Sequence, residues 1–347
     1  MKYDTKIEPR TFHFREPAGT SRGVYRTRQS YFVYLKDADG HCGVGECAPL
    51  PQLSCDDLPD YESILNDHCK AFEETGKLDV DALRPYPSIL FGLETAVRHL
   101  ERGTLALFDT LFSCGKEGIP INGLVWMGTF EEMNRRIEEK LRQGFHCVKL
   151  KIGAIGWEQE VDLLRGIRQR FSRQDVELRV DANGAFSSEE APKKLEELAL
   201  LDIHSIEQPI RAGQWEELSK ICRESPIPIA LDEELIGANR LAEKQALLDA
   251  VSPQYIVLKP SLHGGIQGTL EWIAEAQQRG IGSWITSALE SNVGLNAVAQ
   301  LAAYAYGPHI DFPQGLGTGQ LFTDNIVMPL EIRGDELWMN GVNEIKL

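Results

Sequence analysis

From residue 121 onward the chain repeats one pattern: a short apolar run rich in β-branched residues, then an amphipathic helical stretch, then another short run. Strands are predicted at 123–126, 148–152, 176–180, 205–206, 227–231, 255–258, 282–286 and near 310–312. Helices are predicted at 130–143, 157–171, 188–201, 214–223, 239–248 and 265–278. Strands joined by helices must run parallel, and a parallel sheet needs cover on both faces. Eight such strands fit a closed barrel better than an open sheet.

In a barrel of this kind the C-terminal strand ends all open on one face. The second to sixth predicted strands each end in a charged group: Lys149 and Lys151, then Asp181, Glu207, Asp232 and Lys259. The last four follow one another at intervals of 26, 25 and 27 residues, one strand-plus-helix unit each time. A single Asp before a loop is ordinarily a helix N-cap. Capping does not require the ordered series Lys, Asp, Glu, Asp, Lys.

Lys149 and Lys151 point to the same side of their strand, because side chains alternate. Two buried ammonium groups need facing acids, and the next three strands supply them. Three converging carboxylates in turn require a cation, and an all-oxygen set suits Mg²⁺, with Mn²⁺ as a substitute. Zinc would want His or Cys, and the eight histidines form no cluster at the strand ends. A neighbouring cation and burial both depress a lysine pKa, so Lys149 is expected to tune Lys151 toward acting as a base.

The first third has a different texture. Alternating residues at 30–36 and 41–46 flank Asp37-Ala38-Asp39-Gly40, a hairpin signal. Residues 17–23 form a small-residue loop, 48–51 are proline-broken, and 59–76 and 88–112 have helical spacing. The tail after Gln320 returns to strand texture and is expected to pair back with the N-terminal hairpin region.

With 36 basic and 52 acidic residues the net charge is −16, which argues against nucleic acid or an anionic membrane as partner. Cysteines at 42, 47, 55, 69, 114, 147 and 222 form no Cys-x-x-Cys pair and are expected to be free thiols. The N-terminus has no apolar signal core, and no run approaches about 18 apolar residues. These features suit a cytoplasmic enzyme acting on a small molecule, and leave room for a homo-oligomer.

Lys149-Leu150-Lys151, Asp181-Ala182-Asn183-Gly184, Glu207-Gln208-Pro209, Asp232-Glu233 and Lys259-Pro260 together resemble the motif set of the enolase superfamily, muconate-lactonising subgroup. Within it the chain is most similar to the o-succinylbenzoate synthase family. Three stretches carry that likeness: Thr20-Ser21-Arg22-Gly23 with Arg26-Thr27-Arg28, Glu46 to Pro51, and Ser287 to Leu295.

The resemblance implies an α/β fold: a modified (β/α)₇β TIM-type barrel under an α+β capping domain. Residues 1–113 would form the cap, 114–319 the barrel, and 320–347 a tail returning to the cap. It implies that Asp181, Glu207 and Asp232 bind the metal, with Glu233 supporting them from behind. Lys151 would remove the proton α to a substrate carboxylate, and Lys259 would help hold the resulting enediolate. Arg179 and Asn183 share the face of Asp181 and are candidate substrate-binding residues, as are Leu50, Arg28, Ser287 and Ser291 for the substrate tail. The implied reaction is dehydration of 2-succinyl-6-hydroxy-2,4-cyclohexadiene-1-carboxylate in menaquinone biosynthesis.

Racemisation of N-succinylamino acids or epimerisation of dipeptides would use the same lysines. Dipeptide epimerases of the superfamily carry an Asp-x-Asp after the last strand, where this chain has Gly315-Leu316-Gly317-Thr318-Gly319. That glycine run suits a barrel-rim loop better than a phosphate loop, since no long helix follows it. A catalytically silent scaffold barrel has no reason to keep the five motifs. Glu290 suits a helix cap or the pocket wall equally, and the aromatics at 304, 306 and 312 suit packing.

Overall fold

The computed structural model describes residues 3–20 and 23–340. Ser21 and Arg22 of the first capping-loop motif lie outside the described residues. The N-terminal third builds an antiparallel sheet, β1 (Asp4–Thr20), β2 (Gly23–Lys36) and β3 (Cys42–Cys47), in that order. Three helices follow: α1 (Tyr61–Thr75), α2 (Val80–Leu83) and α3 (Pro87–Arg102).

The β2–β3 turn falls where Asp37-Ala38-Asp39-Gly40 predicts it. Asp37 Oδ1 accepts the backbone N–H groups of Asp39 and His41 at 3.0 and 2.9 Å, closing the turn locally. Behind the hairpin, α3 meets β3 backbone to backbone. A Cβ on Gly45 would lie 1.8 Å from the Gly92 carbonyl oxygen, so no larger residue fits there. Helix α3 also stops short of the predicted 112. Gly103 turns into the left-handed region (φ 63°) and donates its N–H to His99 O, so Leu107 lies in the irregular chain beyond, still buried.

A short β4 (Ile119–Pro120) leads into the barrel. Its first half is β5 (Gly123–Val125), α4 (Phe130–Arg142), β6 (Cys147–Lys151), α5 (Trp157–Arg168), β7 (Glu177–Asp181) and α6 (Ala191–Ala199). Then come β8 (Ser205–Glu207), α7 (Trp215–Glu224), β9 (Ile229–Leu231), α8 (Leu241–Val251) and β10 (Tyr255–Leu258). The last units are α9 (Gly265–Gln278), β11 (Gly282–Ile285) and α10 (Asn292–Tyr306). The seven strands β5 to β11 form one parallel sheet in sequence order.

The closing strand is not at 310–312. Gln314 and Gly315 instead bridge Ile121 and Thr286, joining the two sheet edges. The aromatic at 312 turns inward onto the barrel floor, 4.1 Å from the Arg179 guanidinium, which takes that run out of the wall. Tyr304, though 51% exposed, packs as expected, stacked on Phe108 of the N-terminal third.

The tail divides between two partners. Residues 321–323 lie against β1, with Arg15 N–H bonding Leu321 O and Thr323 N–H bonding His13 O. The hairpin of β12 (Leu330–Arg333) and β13 (Glu336–Met339) joins β4 rather than the β1–β3 sheet. All seven cysteines are free, and among the described residues no helix is long and apolar enough to cross a membrane.

Two acids from the N-terminal third hold it to the barrel by capping barrel helices. Glu94 of α3 accepts the N–H groups of Ile266 and Gln267 at 2.5 and 3.0 Å, at the start of α9. Glu46 of β3 accepts the N–H groups of Ser291 and Gly294, each at 2.9 Å, at the start of α10. A carboxylate on free helix N–H groups satisfies donors that the helix cannot and meets the positive end of its dipole.

Candidate active site

The strand register places the charged groups side by side. Lys151 is the neighbour of Asp181 across β6–β7, and Asp181 that of Glu207 across β7–β8. Asp232 and Lys259 follow the ends of β9 and β10. All six side chains are largely withdrawn from solvent. Lys149 Nζ lies 2.7 Å from Glu207 Oε2 and 3.3 Å from Asp181 Oδ2. Lys151 Nζ donates to Asp181 Oδ2 at 2.8 Å and to Asn183 Oδ1 at 2.7 Å, and Lys259 is in ion-pair contact with Asp232.

The loops that follow the strands lock these groups. Asn183 sits at φ 44°, a conformation Asn tolerates better than most residues. Its N–H bonds Asp181 Oδ1 at 3.0 Å and its Nδ2 bonds Glu233 Oε1 at 2.9 Å, so Glu233 braces the layer through Asn183. Buried Gln208 accepts the N–H groups of Asp232 and Glu234 with one oxygen, tying the strand-eight loop to the strand-nine loop.

Electrostatics divide the acids. Burial opposes ionisation of Asp181, but Lys151 and Lys149 outweigh it and hold the carboxyl below its usual range. Glu207 is pushed up to about 8 by burial and by the charge of Asp181. Asp232 is also raised by burial, Lys259 notwithstanding. Burial would lower Lys149, yet Glu207 and Asp181 win and raise it. Lys149 therefore keeps its charge, which two carboxylates engage.

Glu207 Oε1 and Asp232 Oδ1 are buried without a hydrogen-bond partner. Such oxygens cost stability unless something binds them. An all-oxygen set with two unpartnered buried carboxylate oxygens fits a hard divalent cation. The three carboxylates, each drawn to a lysine, do not bring one oxygen apiece within 4.8 Å of the other two, so gathering them requires those contacts to loosen. Among the described residues the compact acidic group is instead Asp37, Asp39 and His41, explained by the turn it closes.

Lys149, Lys151, Asp181, Asn183, Glu233 and Lys259 line one pocket together with Leu50 and Ser287. Three expected substrate contacts lie elsewhere. Arg179 lies on the floor, bonded to Glu177 at 2.7 Å and Pro313 O at 2.9 Å and stacked on Trp284 and the aromatic at 312. Two residues earlier on the same face of a strand is also about 7 Å deeper in the barrel, a displacement that alternation alone conceals. Arg28 is 1% exposed and donates to four carbonyls: Ala48 at 2.5 Å, Pro49, Ala288 at 3.5 Å and Leu289 at 3.3 Å. It joins the loop carrying Leu50 to the loop carrying Ser287. Ser291 caps α10, donating its hydroxyl to Glu46 Oε2 at 2.6 Å.

Glu290 neither caps α10 nor lines the pocket. Its carboxylate accepts the hydroxyls of Ser261 and Ser287 at 2.5 and 2.8 Å, fixing the loops after β10 and β11. Tyr25, Leu53, Trp126 and Thr286 also line the pocket and were not singled out by the sequence. Trp126 was within reach of it, since it follows β5 on the face of Leu124. Tyr25 lies on β2, Thr286 follows β11 and Leu53 comes from a loop, and only the fold decides that they meet.

Residues 132–333 match the family model described as enolase C-terminal domain-like, and residues 21–100 match the MenC N-terminal domain. The o-succinylbenzoate synthase of Desulfotalea psychrophila is 45% identical, over 92% of this chain and 95% of that protein. The crystal structure of MenC from the same organism superposes with a TM-score of 0.81 at 39% identity, covering 97% of this chain and all of that one. The hydrophobic dipeptide epimerase of Roseobacter litoralis is 25% identical over 95% of this chain and 97% of its own length. The chain thus belongs to the enolase superfamily and, within it, to the o-succinylbenzoate synthase (MenC) family.

Proposed function

We propose that this chain dehydrates 2-succinyl-6-hydroxy-2,4-cyclohexadiene-1-carboxylate to o-succinylbenzoate, a carbon–oxygen lyase step of menaquinone biosynthesis, in the cytoplasm. The supporting observation is Lys151 and Lys259 set around the Asp181–Glu207–Asp232 layer, in a chain 45% identical to an o-succinylbenzoate synthase. Residues 1–113 form the cap, with 321–323 of the tail against it, and 114–319 the barrel, which the tail hairpin joins through β4.

Asp181, Glu207 and Asp232 would hold Mg²⁺, whose charge, when bound, neutralises the acids and draws electrons from the substrate carboxylate. Lys151, steered by Asp181 and Asn183, removes the proton α to that carboxylate. The ammonium of Lys259, from the far side of the layer, stabilises the negative charge left on the carboxylate oxygens. Lys151 then returns its proton to the departing hydroxyl as the C–O bond breaks, so one water leaves and the ring becomes aromatic. Leu50, Leu53 and Leu289 give the tail an apolar wall.

The rim opposite the lysines favours this reaction over dipeptide epimerisation. Gly315, Gly317 and Thr318 line the pocket there, with no carboxylate to receive a substrate amino group. Purified protein with Mg²⁺ is expected to convert the cyclohexadiene to o-succinylbenzoate, followed by absorbance; no conversion refutes the reading.

A further inference from the structure

In a barrel of this kind a helix covers each groove between neighbouring strands. Here α10 is the last barrel helix, and the groove between β5 and the closing residues Gln314 and Gly315 has none. The end of β1 and the tail beyond Gly315 pass over that groove instead, leaving a cavity of about 460 Å³.

The cavity is basic in an acidic protein. Arg15, Arg135, Arg136 and Lys140 line it against Glu16 and Glu139, while the chain as a whole carries −16. Glu16 engages Arg136 at 3.1 Å and, more loosely, Arg135 at 3.4 Å. Among the described residues, the Arg15 side chain donates to a backbone carbonyl alone, Gln320 O, at 3.1 Å.

Between this cavity and the catalytic pocket the wall is one side chain thick. Asn122, Leu124, Trp126, Gly317 and Thr318 line both. The strands forming that wall are laced only at their lower end, by Asn122 N–H to Gln314 O at 3.0 Å and Gln314 N–H to Pro120 O at 2.8 Å. Among the described residues no backbone hydrogen bond joins 123–126 to 315–318. A Cβ on Gly317 would meet nothing closer than 3.5 Å.

We propose that this slit is a side entrance to the active site for small organic dicarboxylates, gathered by Arg15, Arg135 and Arg136. The proposal rests on the function above, in which substrate and product each carry two carboxylates. A protein of net charge −16 repels such a dianion at long range, and a local basic cleft with low-dielectric walls reverses the field where the ligand must enter.

Stopped-flow tryptophan fluorescence of the Mg²⁺-loaded protein mixed with o-succinylbenzoate tests the route, since Trp126 lines both cavities. The double variant Arg15→Gln, Arg135→Gln removes two exposed charges outside the catalytic pocket. It is expected to lower the association rate about threefold to tenfold at low salt and to flatten its salt dependence. Gly317→Leu narrows the slit and is expected to lower the association and the dissociation rate together. Normal wild-type binding with rates and salt dependence unmoved in both variants overturns the entrance alone. A wild-type protein that binds no o-succinylbenzoate overturns the proposed function and the entrance with it.

Discussion

Two clusters of buried charge lie close together in this molecule, and they are finished differently. At the seam between cap and barrel, buried Arg28 is within electrostatic reach of Glu46 and Glu290. Glu46 accepts four hydrogen bonds, Glu290 three, and the guanidinium donates to four carbonyls. In the catalytic layer, Glu207 and Asp232 each keep an unpartnered oxygen. The protein completes the first cluster itself and leaves the second to be completed by what binds there. Buried charge by itself therefore does not distinguish a joint from an active site; between these two clusters, the unsatisfied carboxylate oxygens lie in the catalytic layer.

The contrast breaks most sharply at the lysines. Lys151→Ala is expected to lower turnover by at least about 10²–10⁴-fold, the range for a lost general acid–base group, with the melting temperature little changed. Turnover retained at wild-type level would mean that the base is another residue. At the seam the ranking reverses, with stability suffering first. Arg28→Met strips four seam carbonyls of their donor and should cost at least about 1–3 kcal/mol in denaturant unfolding. Arg28→Lys restores the charge without the fork and should recover part of that loss.

Metal binding offers a cleaner separation. Saturating Mg²⁺ at about 100 times Kd should stabilise the wild type by about 2.7 kcal/mol. Glu207→Gln should abolish that gain, whereas Glu46→Gln should lower the starting stability and keep it. Equal Mg²⁺ responses in the two variants would erase the distinction drawn between the clusters.

The smallest effect concerns the second helix-capping acid. Burial pushes the Glu94 carboxyl up to about 7, above its ordinary value. The folded protein therefore holds a proton that the unfolded chain releases near its ordinary pKa. The resulting stabilisation is complete below about pH 4.5 and fades as pH rises through about 7, with a slope of at most about 1.4 kcal/mol per pH unit. Glu94→Gln should flatten unfolding free energy against pH in that window; an unchanged slope would place the titration elsewhere.

Spacing made the catalytic layer legible. One group per strand end at regular intervals is a property of barrel geometry, so Lys149, Lys151, Asp181, Glu207, Asp232 and Lys259 could be assembled before any coordinates. The same alternation rule misplaced Arg179, because it sets the face of a strand and not the depth within the barrel. Arg28 and Ser291 were misplaced for another reason. A motif shows that a residue belongs near a loop, but an arginine at a pocket rim and one buried behind it have the same local sequence.

Sequence alone determined the strand and helix order, the charge series and the chemistry it permits, since periodicity and residue type are local. Tertiary structure decided what Arg28 joins, which oxygens of Glu207 and Asp232 stay unpartnered, and where the wall between β5 and the closing strand is left unlaced. Each of these depends on segments far apart in the chain meeting at contact distance, and no local pattern records which segments meet.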